Sequence, residues 1–307
     1  MRAVGQTKVR RSSAGIHLFD RLTGFNVLID EVIGEPSEWS QAPRQVSVAL
    51  TNACDLRCAY CYAPKESGRL RTEVLVGWMS ELDEQGCIGV GFGGGEPTLV
   101  REFPDLCHRV ADTTQLAVTF TTHGHHLDRQ VCARLKGAVH FVRISMDGVG
   151  RTYERLRGRR FSHLLAGIGA VADITQFGIN SVVNSDTVVE LDRIVEVAER
   201  TGARELLLLP EQPTAARPGI DHQTIATMRK WVMSYDGRVP LVVSQTGAEG
   251  LPTCDQVPGE APLEAYAHID ANGVLKCSSY DVSGVAIGAD GVMSALRTLR
   301  GTNGGAP

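Results

Sequence analysis

Apolar runs of strand length recur near residues 45–51, 88–92, 116–121, 140–145, 179–184 and 204–209, each separated from the next by an amphipathic stretch of helical length. That alternation implies a parallel sheet, because consecutive parallel strands need a crossover long enough to hold a helix, and such crossovers are right-handed. Six units suit a partial (β/α)6 TIM-type barrel, in which chemistry sits at the C-terminal ends of the strands. A doubly wound open sheet has the same local signature, so periodicity alone leaves both architectures standing.

The flanks carry less. In residues 1–43, GIHLFDRLTGFNVLID (15–30) reads as a β-hairpin whose turn ends in Gly24, and a polar stretch with Gly34, Pro36 and Pro43 leads into the first buried strand, QVSVALT. Residues 44–212 hold the six units. Residues 213–307 begin with a helical pattern near 221–236 (Ile225, Met228, Val232) and a strand-like VPLVVS, then become a small glycine-rich α+β cap. A net charge of −4 provides no general attraction for nucleic acid or an anionic membrane, so neither is an expected partner. The basic start lacks an apolar h-region and no run of eighteen or so apolar residues occurs, which together with eight cysteines predicts a reducing, cytoplasmic setting.

Three of those cysteines, Cys54, Cys58 and Cys61 in TNACDLRCAYCYAPK, follow directly on the first strand. Three thiolates four and three positions apart can wrap one four-iron cluster and leave one iron without a protein ligand. Zinc would need a fourth Cys or His close by, and none follows before Cys87. Cys87, Cys107 and Cys132 lie in or beside helical segments and read as core residues; Cys107 shares an apolar face with Phe103, Leu106 and Val110.

The C-x3-C-x2-C spacing, with Tyr60 before the last cysteine, resembles the radical S-adenosylmethionine (SAM) enzymes. The resemblance selects the partial barrel and implies one [4Fe-4S] cluster whose open iron is chelated by the amino and carboxylate groups of SAM. An electron from the cluster then splits the sulfonium to a 5′-deoxyadenosyl radical. Tyr60 is then expected beside the adenine. At the end of the second strand, Gly94, Gly95, Glu96 and Pro97 resemble the family's GGEP motif, in which backbone carbonyls and the Glu hold the SAM amino group. ISMDG resembles the SLDG of relatives, where the serine equivalent to Ser145 contacts SAM. The resemblance further places Arg157, in the arginine-rich GRTYERLRGRR, against the SAM carboxylate, and Asn184 at the ribose or adenine.

His123 stands where many relatives have Asn in Thr-Asn-Gly, and is a candidate acid/base or substrate contact; Glu211, just past Pro210, is a candidate base or substrate-orienting group. His125 and His126 read as solvated neighbours rather than metal ligands. AYAHIDANGVLKCSS, a hairpin across an Asn-Gly turn, resembles the start of the SPASM or twitch extension, which binds auxiliary iron-sulfur clusters. Only Cys254 and Cys277 remain to serve it, so a degenerate cap without a second cluster is expected.

Relatives with such a tail modify ribosomally made peptides, so the resemblance implies a peptide maturase (crosslink, thioether or epimerisation) fed by a flavodoxin- or ferredoxin-type electron donor. The alternatives are a radical dehydrogenase or epimerase of a small natural-product intermediate, such as an aminoglycoside or nucleoside, and a noncatalytic iron-sulfur electron-transfer or sensor protein.

Overall fold

The structure, a computed structural model, describes residues 7–303 except 215, 245–249, 252–256 and 258–259. The N-terminal element is an antiparallel sheet of three strands rather than a hairpin: β1 (Thr7–Ser12), β2 (Gly15–Asp20) and β3 (Asn26–Ile29), in that order. The strand that the sequence reading missed is β1, TKVRRS, whose inward positions are Lys8 and Arg10 instead of apolar residues. Arg10, 2% exposed, donates to the carbonyls of Ala42 (2.7 Å), Gly86 (3.1 Å) and Glu264 (3.1 Å), and Lys8 pairs with Asp83. These cations bond main-chain carbonyls of the neighbouring loops and helix ends, while their stems fill apolar space.

The main sheet starts with β4 (Gln45–Thr51), α1 (Thr72–Glu84), β5 (Gly89–Gly94), α2 (Phe103–Thr113), β6 (Ala117–Thr122) and α3 (Arg129–Leu135). It continues with β7 (Phe141–Ser145), α4 (Arg151–Arg157), α5 (Phe161–Ala172), β8 (Gln176–Val183), α6 (Leu191–Thr201) and β9 (Leu206–Pro210). The GRTYERLRGRR segment is thus itself helical, forming α4, which ends at Gly158 in the left-handed region (φ +66°). After β9 come α7 (His222–Ser234), β10 (Leu241–Val243), the single turn α8 (Pro262–Ala265), β11 (Tyr266–Ile269), β12 (Val274–Lys276), β13 (Val285–Ala286) and α9 (Gly291–Asn303).

Ten strands form one sheet in the order β10-β9-β8-β7-β6-β5-β4-β11-β12-β13, parallel from β10 through β11 and antiparallel at β12 and β13. The predicted tail hairpin is present, and its first strand adds to the main sheet beside β4, pairing Tyr266 with Gln45 through Ile269 with Val48. One sheet face carries Val46, Val48, Val90, Phe92, Val118, Phe120, Val142 and Ile144, all buried under the helices. Phe103 of α2 sits edge-on between Phe92 and Phe120, at 6.1 and 5.1 Å between ring centroids. The opposite face carries Gln45, Ser47, Gly91, Thr119, Arg143 and Asn180, small or polar residues suited to the inside of a partial barrel. Cys87, Cys107 and Cys132 are buried, as their helical spacing predicts. Among the described residues no helix is long and apolar enough to cross a membrane.

The ends of the sheet have separate tasks. Ala42 and Gly86, which Arg10 binds, lie before β4 and β5, so the small N-terminal sheet is fastened at the end opposite the strand termini that carry the cysteine loop.

Candidate active site

The cysteine loop leaves β4 at Thr51. Cys54, Cys58 and Cys61, with Leu56 and Tyr60, form a small apolar cluster separate from the main core, closed by Leu156 of α4 and Val182 of β8. Burial pushes the Cys54 and Cys58 thiols above their ordinary pKa. An apolar nest that disfavours bare thiolates suits them once a metal cluster supplies positive charge, so the donor set fits an iron-sulfur cluster held by three cysteines.

The glycine turn at the end of β5 lies flush against the start of this loop. Gly94 has φ +110°, the Gly95 amide donates to Thr51 O (2.6 Å) and the Glu96 amide donates to Ala53 O (2.9 Å). A β-carbon at Gly95 would fall 2.1 Å from the Ala53 carbonyl oxygen, so only glycine permits the approach. Glu96 is 1% exposed and already rich in donors: Oε1 accepts from Thr98 N (3.1 Å), Thr98 Oγ1 (2.6 Å) and Thr122 Oγ1 (2.8 Å), and Oε2 accepts from His123 N (2.9 Å).

Tyr60, Asp147 and Arg157 form a second network beside Cys58. Asp147, fully buried at the end of β7, accepts from the Tyr60 hydroxyl (2.5 Å) and Arg157 Nε (2.6 Å) at Oδ2, and from the Val182 amide (2.7 Å) at Oδ1. Burial and the Asp147 charge keep the Tyr60 phenol protonated, which makes it the donor. Burial works against the Arg157 guanidinium, yet Asp147 holds it charged, and it lies 5.8 Å above the Tyr60 ring centroid. The structure therefore gives Arg157 a protein carboxylate for a partner where the resemblance implies the carboxylate of SAM.

Ser145 ends β7 half-buried, in register with Asn180. Asn184, just past β8, accepts the amides of Asp186 (3.0 Å) and Thr187 (3.1 Å) at Oδ1 and donates to Glu211 Oε2 (2.7 Å). Glu211 is 2% exposed and also accepts from Arg217 Nε (2.5 Å). Both carboxylate oxygens of this candidate base are thus in use by the protein.

His123 follows β6 with both ring nitrogens engaged. Nδ1 accepts from the His125 amide (3.1 Å), which leaves the proton on Nε2, 2.9 Å from Asp55 Oδ1 and 3.3 Å from Glu96 Oε2. Asp55 is a member of this cluster that sequence reasoning missed, and adjacency to Cys54 was its only signal. Burial would raise its carboxyl, but Arg159, His123 and His126 hold it below the usual carboxylate range. Ligand atoms of Cys54, Asp55 and His123 lie within 4.8 Å of one another. His125 bonds the buried Tyr153 hydroxyl (2.8 Å), and burial lowers its pKa to about 4, so it is neutral and is not simply solvated.

The C-terminal strands approach the loop through Tyr62 and Tyr280, whose rings are 4.5 Å apart. Cys277 follows β12 at the edge of the main core; Cys254 lies outside the described residues. A cleft of about 720 Å³ opens beside the loop, lined by Asn52, Ala53, Lys65, Arg69, Leu99 and Asn272 among others.

Residues 48–183 match the Radical SAM superfamily. The chain is similar to an Fe-coproporphyrin III synthase of Methanosarcina barkeri, 27% identical over 49% of this chain and 39% of that one. It is also similar to a PqqA peptide cyclase of Granulibacter bethesdensis, 30% identical over 53% and 46%. It thus spans about half the length of these curated relatives or less. Streptococcus suis SuiB, solved bound to its precursor peptide SuiA, has the same fold, with a TM-score of 0.72 at 13% identity over 91% of this chain and 83% of that one. The segment that matches the radical SAM superfamily runs from β4 through the cysteine loop and the glycine turn to the end of β8.

Proposed function

We propose that this protein is a radical SAM enzyme that abstracts a hydrogen atom from a ribosomally made peptide, leading to a crosslink, a thioether or epimerisation. The observation that carries the reading is the contact of the Gly94-Gly95-Glu96 turn with the stretch just before Cys54, which puts a cluster-binding loop and an anion-bearing glycine turn at one place. Cys54, Cys58 and Cys61 would hold one [4Fe-4S] cluster, and with SAM bound the pair supplies a 5′-deoxyadenosyl radical.

The chain's own residues position and exclude water. The Gly94 and Gly95 backbone and Glu96 Oε2, the less committed of its carboxylate oxygens, would take the amino group of SAM. Ser145 and Asn184 would line the nucleoside side from the neighbouring strand ends, with Tyr60 fixed by Asp147 and Arg157 as part of the same wall. A flavodoxin- or ferredoxin-type protein would supply electrons. The peptide assignment is supported by the name of the PqqA peptide cyclase and by the cleft beside the loop, whose size falls within the range of ligand pockets.

Reconstituted, reduced protein incubated anaerobically with SAM should release 5′-deoxyadenosine, and a Cys58→Ala variant should not. Adding a short peptide encoded beside the gene should change that peptide's mass or stereochemistry. No 5′-deoxyadenosine from the intact protein would sink the enzymatic reading. An unaltered peptide alongside turnover of a small metabolite would replace the substrate class.

A further inference from the structure

We propose that His123 is a positioning residue, a strut whose imidazole holds the cysteine loop through Asp55 while its main-chain amide holds the glycine turn through Glu96, and which so governs how well SAM fits between them. The inference rests on the cluster-and-SAM reading of the site and adds a residue role that the reading does not require.

Asp55 is the residue after Cys54, and Glu96 is the residue after Gly95. Each carboxylate is therefore attached to one of the two walls between which SAM would sit. His123 reaches both: its Nε2 bonds Asp55 Oδ1 at 2.9 Å, and its main-chain amide donates to Glu96 Oε2 at 2.9 Å, with Nε2 itself 3.3 Å from that oxygen. Two carboxylates facing one residue repel one another, and two N–H donors on a single rigid residue, one to each, offset that repulsion and fix their separation. The ring cannot swing, because its Nδ1 is pinned by the His125 amide (3.1 Å) and its side chain is 3% exposed. A histidine with both nitrogens spent inside the protein is built to hold geometry.

The outer braces on Asp55 are weaker. Arg159 Nη2 lies 2.9 Å from Oδ2 on a side chain 41% exposed, where solvent and salt screen the interaction, and His126 Nε2, 3.2 Å from the same oxygen, makes no hydrogen bond. The strut should accordingly dominate the braces.

The test compares His123→Phe, which keeps ring volume and loses the N–H; His123→Gln, whose amide N–H reaches roughly where Nε2 stands; and Arg159→Ala. Each reconstituted protein is measured for iron per chain, thermal unfolding, SAM dissociation constant, and the change in the reduced cluster's EPR signal on adding SAM. Loss of a charge-assisted hydrogen bond predicts SAM binding weakened about tenfold or more in His123→Phe, with a smaller EPR change at near wild-type iron content and melting temperature. His123→Gln should recover most of the affinity, and Arg159→Ala should lose less than about threefold.

Wild-type SAM affinity in His123→Phe overturns the strut. So does an affinity loss that His123→Gln fails to restore and that merely follows lost iron or lost stability, since that marks a packing role. A wild-type protein that takes up no cluster or binds no SAM overturns the reading beneath it, and the strut with it.

Discussion

Gly95→Ala probes the contact on which the active site is built. Its β-carbon would lie 2.1 Å from Ala53 O, 2.6 Å from Ala53 C and 2.8 Å from Asn52 C, against the ~3.5 Å of a relaxed contact. All three atoms are backbone, so no side-chain rotation relieves the overlap, and the cysteine loop and the turn must part by about 1 Å. Parting breaks the bonds from Gly95 N to Thr51 O and from Glu96 N to Ala53 O, of 2.6 and 2.9 Å. Two backbone hydrogen bonds at about 1 kcal/mol each, plus roughly 1–3 kcal/mol of overpacking, make a local cost of about 3–5 kcal/mol. Gly93→Ala is the internal control, since a β-carbon at that position would meet no atom within 4 Å. Urea unfolding and iron content after reconstitution should show Gly95→Ala less stable and iron-poor, with Gly93→Ala within about 0.5 kcal/mol of the wild type. The reasoning fails if Gly95→Ala keeps its midpoint and its iron, or if both variants suffer alike.

Further outcomes follow from other parts of the fold. Asp147→Ala should cost about 3–5 kcal/mol in denaturant titrations, because it strands the buried Arg157 guanidinium and frees Tyr60; a loss under about 1 kcal/mol would show that the network is not structural. Cys277→Ser should leave iron at about four atoms per chain, as expected for a single cluster, and a drop would argue for a second one. His140 accepts the Val118 amide at Nδ1, and burial lowers its pKa from 6.5 to about 4, as it does for His268. The unfolded chain binds the extra protons, so stability is full above pH 6.5 and falls progressively toward about pH 4. His140→Asn keeps an acceptor for Val118 without titrating, and melting temperatures across that range should fall less steeply; an unchanged slope would refute the assignment.

The features legible in the sequence were local ones. Three cysteines within eight residues make a candidate metal loop legible wherever the chain goes, and the alternation of apolar strands with helical periods specifies a parallel sheet. Even there, β1 escaped notice, because Lys8 and Arg10 occupy the inward positions and only the loops they bind explain why. α4 was likewise hidden by its three arginines, one of which, Arg157, turned inward to Asp147.

By itself, then, the sequence determined the three-cysteine loop, the glycine turn and the order of the β/α units, since each depends on residues adjacent in the chain. Only the tertiary structure decided what each polar group binds. Tyr60 meets Asp147 across 87 positions, Asp55 meets His123 across 68 and Arg159 across 104, and Asn184 meets Glu211 across 27. Hydrogen bonds of that separation exist because parallel strands bring their C-terminal ends to one rim, and the buried partners there must satisfy one another.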